Sequence, residues 1–201
     1  MPSISSVKIC NMALAHIGAK STIESLDEDS AEAQQCKLWY DWARYQTLED
    51  FNWPFAKRRR TLAVHGDVAP SGVWTFRYEY PSDCVKARAI VNPLGEDKDP
   101  VPFEVELSDN GEERTILTDM EDAILLFTFD LTNPALFSSR FIDALSWRVA
   151  HRIAFSLTGD ARIAQNAMQI YNAMLINAAG SAADESAPRT PREASWIEAR
   201  V

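Results

Sequence analysis

The apolar residues of this chain change their repeat from about 3.6 to 2 and back again, and that double change restricts the fold more than any other feature of the sequence. From Ile4 to Ile17 the positions Val7, Cys10, Ala13, Leu14 and Ile17 follow the three-and-four spacing of a helix stripe, and Gly18 is a natural stop. The short oxygen-bearing side chains between Asp27 and Ser30 can cap the free amides of a second helix, and Glu32 suits its positive end. That helix carries Cys36, Trp39, Tyr40 and Ala43 on one face and is predicted to run to about Phe51, because Pro54 forbids a regular continuation.

Between Val73 and Phe129 the period is 2, with Trp74, Phe76, Tyr78 and Tyr80 alternating with Thr75, Arg77 and Glu79. A hairpin is predicted to join Phe103, Val105 and Leu107 to Arg114 through Leu117 across Asp109, Asn110 and Gly111, which tolerate the positive φ of a tight turn. Another strand is expected from Ala123 to Phe129. Helix is predicted to return at Asn133-Pro134 and to run to about Leu157, with Gly159 as stop and Asp160 as the cap of a fourth helix striped by Ala164, Ala167, Met168, Tyr171, Met174, Leu175 and Ala178. After Gly180 the composition turns to Ser, Ala, Pro, Asp and Arg, as in a tail.

These spans predict an α+β chain that is mainly α: a four-helix bundle with a small antiparallel β insertion between helices two and three, and an extended C-terminal arm. Residues 1–60 would supply the first two bundle helices, 61–131 the β insertion, 132–181 the last two helices, and 182–201 a flexible arm. At 201 residues, one domain with an elaboration is expected.

With 46% apolar and 24% charged residues, the chain has ordinary globular composition. It lacks an apolar run of the roughly 18 residues that cross a bilayer, and Met1 to Cys10 lacks the pattern of a signal peptide, so no membrane association is expected. Cys10, Cys36 and Cys84 are odd in number and lie in apolar contexts, which suits reduced, buried thiols. The net charge of −9 argues against a conventional nucleic-acid binder. Between Glu96 and Asp122, eleven acidic residues face only Lys98 and Arg114, which implies one acidic surface.

No Gly-rich phosphate loop, paired-cysteine metal spacing or serine nucleophile elbow occurs, so no catalytic residue, cofactor or metal is expected. His16 and His151 read as packed or surface helix residues. Asp27 with Asp29 and Glu104 with Glu106 could in principle work as acid and base, but the alternation of Glu104 and Glu106 with Phe103, Val105 and Leu107 reads as the wet face of a strand. The one basic run, Lys57, Arg58, Arg59 and Arg60, follows Trp53-Pro54-Phe55 at the end of helix two. It is expected at a subunit interface or close to DNA, the structural role being favoured. Trp39, Trp42, Trp53, Trp74 and Trp147 have the spacing of core or interface anchors. Trp196 stands in a polar tail with Ile197, Arg189, Arg192 and Arg200, a set suited to anchoring on another molecule.

A resemblance gathers several of these residues. Ile9-Cys10-Asn11-Met12-Ala13-Leu14 with Ile17-Gly18, Ser25-Leu26-Asp27-Glu28-Asp29-Ser30, Tyr40-Asp41, Ala43-Arg44, Trp53, Arg58-Arg59, Tyr80-Pro81-Ser82-Asp83-Cys84, and Phe141, Arg148 and Gly159-Asp160 resemble the head-to-tail adaptor proteins of tailed bacteriophages, also called tail tubular protein A or head completion proteins. The resemblance covers most of the chain and is weakest from Asn92 to Leu117. It implies a virion protein made in the host cytoplasm, which forms a homo-oligomeric ring, usually dodecameric, below the portal protein. A tail nozzle or tube protein would dock beneath it, and double-stranded DNA would pass through without sequence-specific binding. It also implies that Arg189, Arg192, Trp196, Ile197 and Arg200 form a portal-binding arm. The alternatives are a tail terminator or other neck protein of a long-tailed phage, a non-phage helical adaptor, or a hydrolase. A neutral or acidic conduit suits DNA that must slide, since lysine and arginine would grip its phosphates.

Overall fold

The computed structural model describes residues 4–70, 72–92 and 100–182. The expected C-terminal arm, with Arg189, Arg192, Trp196, Ile197 and Arg200, lies outside the described residues. The first helix, α1 (Ser6–His16), starts where Ser5 Oγ accepts from the Lys8 amide. In α2 (Ala31–Asp50), Ser30 Oγ does the same for Ala33. Both are the side-chain caps that free N-terminal amides require.

After α2, Pro54 permits a short 3-10 turn, Pro54–Ala56, and the basic run, which the expected division at residue 60 grouped with the helices, is a strand, β1 (Lys57–Thr61). Five more strands follow: β2 (Phe76–Glu79), β3 (Cys84–Ile90), β4 (Phe103–Leu107), β5 (Arg114–Thr118) and β6 (Ile124–Phe129). They form two antiparallel sheets, ordered β1-β6-β3 and β2-β5-β4. The β4–β5 hairpin closes as the sequence predicts, with Leu107 opposite Arg114 and Gly111 at φ 74° in the turn.

The helical start expected at Asn133-Pro134 is instead a second 3-10 turn, Pro134–Leu136, for which Asn133 is the cap; extended Phe137 then enters the core. The helix α3 (Ser139–Thr158) begins under its own cap, Ser138, and ends at Gly159 in the left-handed conformation at φ 70°. The last helix, α4 (Ala161–Ala182), continues through Gly180, where the sequence suggested a stop.

The expectation of a mainly helical four-helix bundle carrying a small β insertion is therefore wrong, and two findings overturn it. First, the helices meet unequally: α3 packs against each of α1, α2 and α4, whereas α1 and α2 meet only slightly. Second, the segment between α2 and α3 forms two three-stranded sheets with a core of their own, Leu62, Tyr78, Cys84, Ile90, Ile116, Leu125 and Phe127. A larger core holds the helices, and aromatic rings fill its centre, with Trp53 and Phe137 edge-on to Phe141 at centroid distances of 5.1 and 4.8 Å.

The two cores meet through the sheet β1-β6-β3. Adjacent residues of a strand point to opposite faces, and Cys84 and Val85 at the start of β3 enter the β core and the helical core respectively. The architecture is thus three layers: helices, first sheet, second sheet. The sheets are also joined at both corners. Leaving β6, the chain after β1 pairs Val64 with Tyr78 of β2, and Ile90 of β3 pairs with Val101 just before β4. That stitching leaves little open sheet edge.

Arginines lock the layers together. Arg88 of β3 donates through Nη2 to the carbonyls of Leu48, Glu49 and Phe51 at 2.9–3.2 Å, and through Nε to Thr128 Oγ1. It satisfies carbonyls that every helix leaves free at its C-terminus and places a positive charge at the negative end of α2. Arg44, buried in the middle of α2, pairs with Asp130 and donates to the Leu131 carbonyl just after β6.

Candidate functional site

The basic run is the best-defined charged feature of the described surface, and its strand geometry divides it in two. Opposite residues of an antiparallel pair share a face, and Arg58 and Arg60 stand opposite Phe127 and Leu125, on the β-core side of the sheet. Their guanidinium groups reach across β6. Arg58 lies 4.7 Å from the Phe129 ring centroid, Arg60 5.6 Å from that of Phe127. Both end on Asp83, which Arg60 grips with two bonds of 2.8 and 2.6 Å and Arg58 meets at 3.3 Å. Planar bidentate geometry of this kind is what arginine provides and lysine does not.

Lys57 and Arg59 point to the other face, where Thr128 and Leu126 stand opposite them. Both are exposed, and among the described residues neither makes an ion pair. A third guanidinium joins the first two at the same end of the β unit: Arg114 lies 4.0 Å from the centroid of Tyr80. Tyr80 interacts with Cys84, and Cys84 stands opposite Phe129, so the three arginine-covered rings are neighbours. Two guanidinium groups, those of Arg58 and Arg60, therefore share one carboxylate, Asp83.

The acidic stretch behaves differently. Glu104 and Glu106 lie on the outer face of β4, exposed, and among the described residues only Glu104 has a polar side-chain partner, the Trp74 indole at 3.3 Å. Asp109 instead serves the fold. With Asp67 it flanks the buried Arg77 at 2.6 and 3.4 Å, and Asp67 also accepts from the Asp109 amide, tying the loop after β1 to the β4–β5 turn. His65 sits in the same cluster, its Nδ1 accepting from the Asp67 amide and its Nε2 3.5 Å from Glu113.

Other groups that could carry chemistry are occupied by packing. His16 stacks on Trp147 at 3.7 Å, and its Nε2 is 3.0 Å from Ser146 Oγ. That hydroxyl donates to the Asp143 carbonyl at 2.7 Å, so the imidazole must donate to the serine and cannot act as its base. A hydrogen bond with Cys36, together with burial, pushes the Cys10 thiol up, and burial pushes Cys84 up, the opposite of an activated nucleophile. All three cysteines are free and buried. No group of three or more His, Cys, Asp or Glu residues is placed to hold a metal among the described residues, and none of the described helices is long and apolar enough to cross a membrane.

Of the residues singled out from the sequence, Lys57 to Arg60 come together on one strand but face two ways, and the five arm residues lie outside the described residues. Sequence reasoning missed Asp83, Tyr80, Arg114 and Phe129. None of these is contiguous with the basic run; the pairing of β6 with both β1 and β3 brings Phe129 and Asp83 to it, and Arg114 of β5 reaches it over Tyr80. No protein-family model matches the chain, and no curated protein matches it.

Proposed function

We propose that this chain is one segment of a ring, a head-to-tail adaptor of a tailed phage that sits below the portal, joins it to the tail and surrounds the DNA. The observation that carries this reading is exposed apolar side chains at two separate places on the helical layer. Leu38 and Trp42 of α2 are 64% and 52% exposed, on a stripe continued by Tyr45, whose ring is parallel to that of Trp42. Ile176, near the end of α4, is 74% exposed. The two faces lie toward opposite ends of α3: Arg152 covers Trp39 on the α2 side, whereas the end of α4 lines a hollow with Arg140 and Asp143. Large exposed apolar residues mark contact surfaces. A ring needs heterologous contacts, in which one face of a subunit meets a different face of the next.

Two further features support the reading. The resemblance in sequence is to such adaptors, and the surplus of acid suits a conduit that must not grip phosphates. A portal contact through Arg189, Arg192, Trp196, Ile197 and Arg200 belongs to the same proposal, as does an assembly with a tail nozzle or tube protein. The test is the mass and electron-microscopic appearance of the purified chain, alone and mixed with its cognate portal ring. Rings that grow on the portal are expected. A chain that stays monomeric and ignores the portal would sink the reading, and one that caps a tail tube instead would make it a tail terminator.

A further inference from the structure

We infer that the cationic end of the β unit is a docking surface for the acidic strand β4 of a second copy of this chain. The inference rests on the ring reading and names the charged contact within it. Arg58 and Arg60 lie on the β-core side of β1, with Arg114 over Tyr80, while Lys57 and Arg59 project from its other face, and among the described residues Asp83 is the one carboxylate that pairs with any of the five. That carboxylate is already shared by Arg58 and Arg60, which leaves Lys57, Arg59 and Arg114 without an ion pair among the described residues.

The complement is present in the same chain but out of its own reach. Glu104 and Glu106 are exposed on β4, at the outer edge of the second sheet, and make no ion pair among the described residues. Meanwhile β1 is at the outer edge of the first sheet, and the corner stitching sets β1 beside β2 and β3 beside β4. The cationic and acidic strands thus stand on opposite sides of the β unit. Charges that cannot meet in one molecule can meet between neighbours arranged head to tail. Both strands also alternate, so each offers its charges two residues apart, Lys57 with Arg59 and Glu104 with Glu106, at the same spacing of about 7 Å.

The chain's own acid surplus favours a second copy over nucleic acid as the occupant, and charge reversal separates the two. Lys57→Glu with Arg59→Glu, and separately Glu104→Lys with Glu106→Lys, should each weaken ring formation at least tenfold in concentration. All four side chains are exposed, so circular dichroism should report an unchanged fold. Mixing the two variants should restore rings, since each then offers the charge the other lacks, and Glu106→Lys alone should give a smaller loss. Variants that assemble like the wild type, or a mixture that fails to recover, overturn the contact while leaving the ring reading in place. A Lys57→Glu, Arg59→Glu protein that assembles normally but loses salt-sensitive binding to a duplex overturns it in favour of phosphate. A wild-type chain that never forms rings removes both.

Discussion

At the scale of single residues, much of the polar chemistry in this chain is structural, and His16 illustrates how that can be measured. Burial against Trp147 holds its pKa below the ordinary 6.5, with Asp143 opposing the shift only in part. The folded state therefore binds fewer protons than the unfolded chain just below pH 6.5, and stability should fall as the pH drops through that value toward the lower folded pKa. His16→Gln should flatten this part of the profile in denaturant titrations at a series of pH values. An unchanged slope would mean that the ring is protonated in the fold. The same reading applies to Ser146, which looks like half of a Ser–His pair but spends its proton on a backbone carbonyl. Neither residue announces this in the sequence, because the hydrogen bond joins positions 130 residues apart and the stack lies beside it.

At the scale of elements, starts and stops were largely legible. Ser30, Gly159 and Gly111 mark a helix start, a helix end and a hairpin turn, each for a local reason that needs no tertiary partner. The C-terminus of α2 is different, since it is capped from another layer. Arg88 covers three of its carbonyls from strand β3, and burial holds its guanidinium below the usual arginine range. Replacement by alanine should cost about 2 kcal/mol or more in chemical denaturation, because charged hydrogen bonds are lost and carbonyls are left partly buried. Lysine should rescue little of it, having no fork to span several acceptors. Full rescue by lysine would show that charge at the helix end, rather than the fork, is what matters. The strand β1 escapes a sequence reading for a comparable reason: its Lys-Arg-Arg-Arg sequence has no apolar alternation, and its β structure comes from pairing with β6.

At the scale of the whole molecule, the shared sheet β1-β6-β3 couples the two cores. Phe127 belongs to the β core and Phe141 to the helical core, and both are fully buried. Truncating either to alanine should cost about 3–5 kcal/mol. Because α2 is held to the first sheet by Arg88 and Val85, Phe127→Ala should also lower amide hydrogen-exchange protection in α3. Full protection there would mean that the two units open independently.

The sequence alone determined the periodic segments, their caps and turns, the buried state of the cysteines and the concentration of acid between Glu96 and Asp122, since all of these follow from neighbours a few positions apart. Only the tertiary structure decided that the β segment builds two sheets around its own core, that α3 packs against each of the other helices, and that Arg58 and Arg60 turn inward to Asp83 while Lys57 and Arg59 turn out. Those outcomes depend on which strands pair and in which register. Pairing is chosen by the joint burial of residues far apart in the chain, and a period of 2 in one segment does not encode its partner.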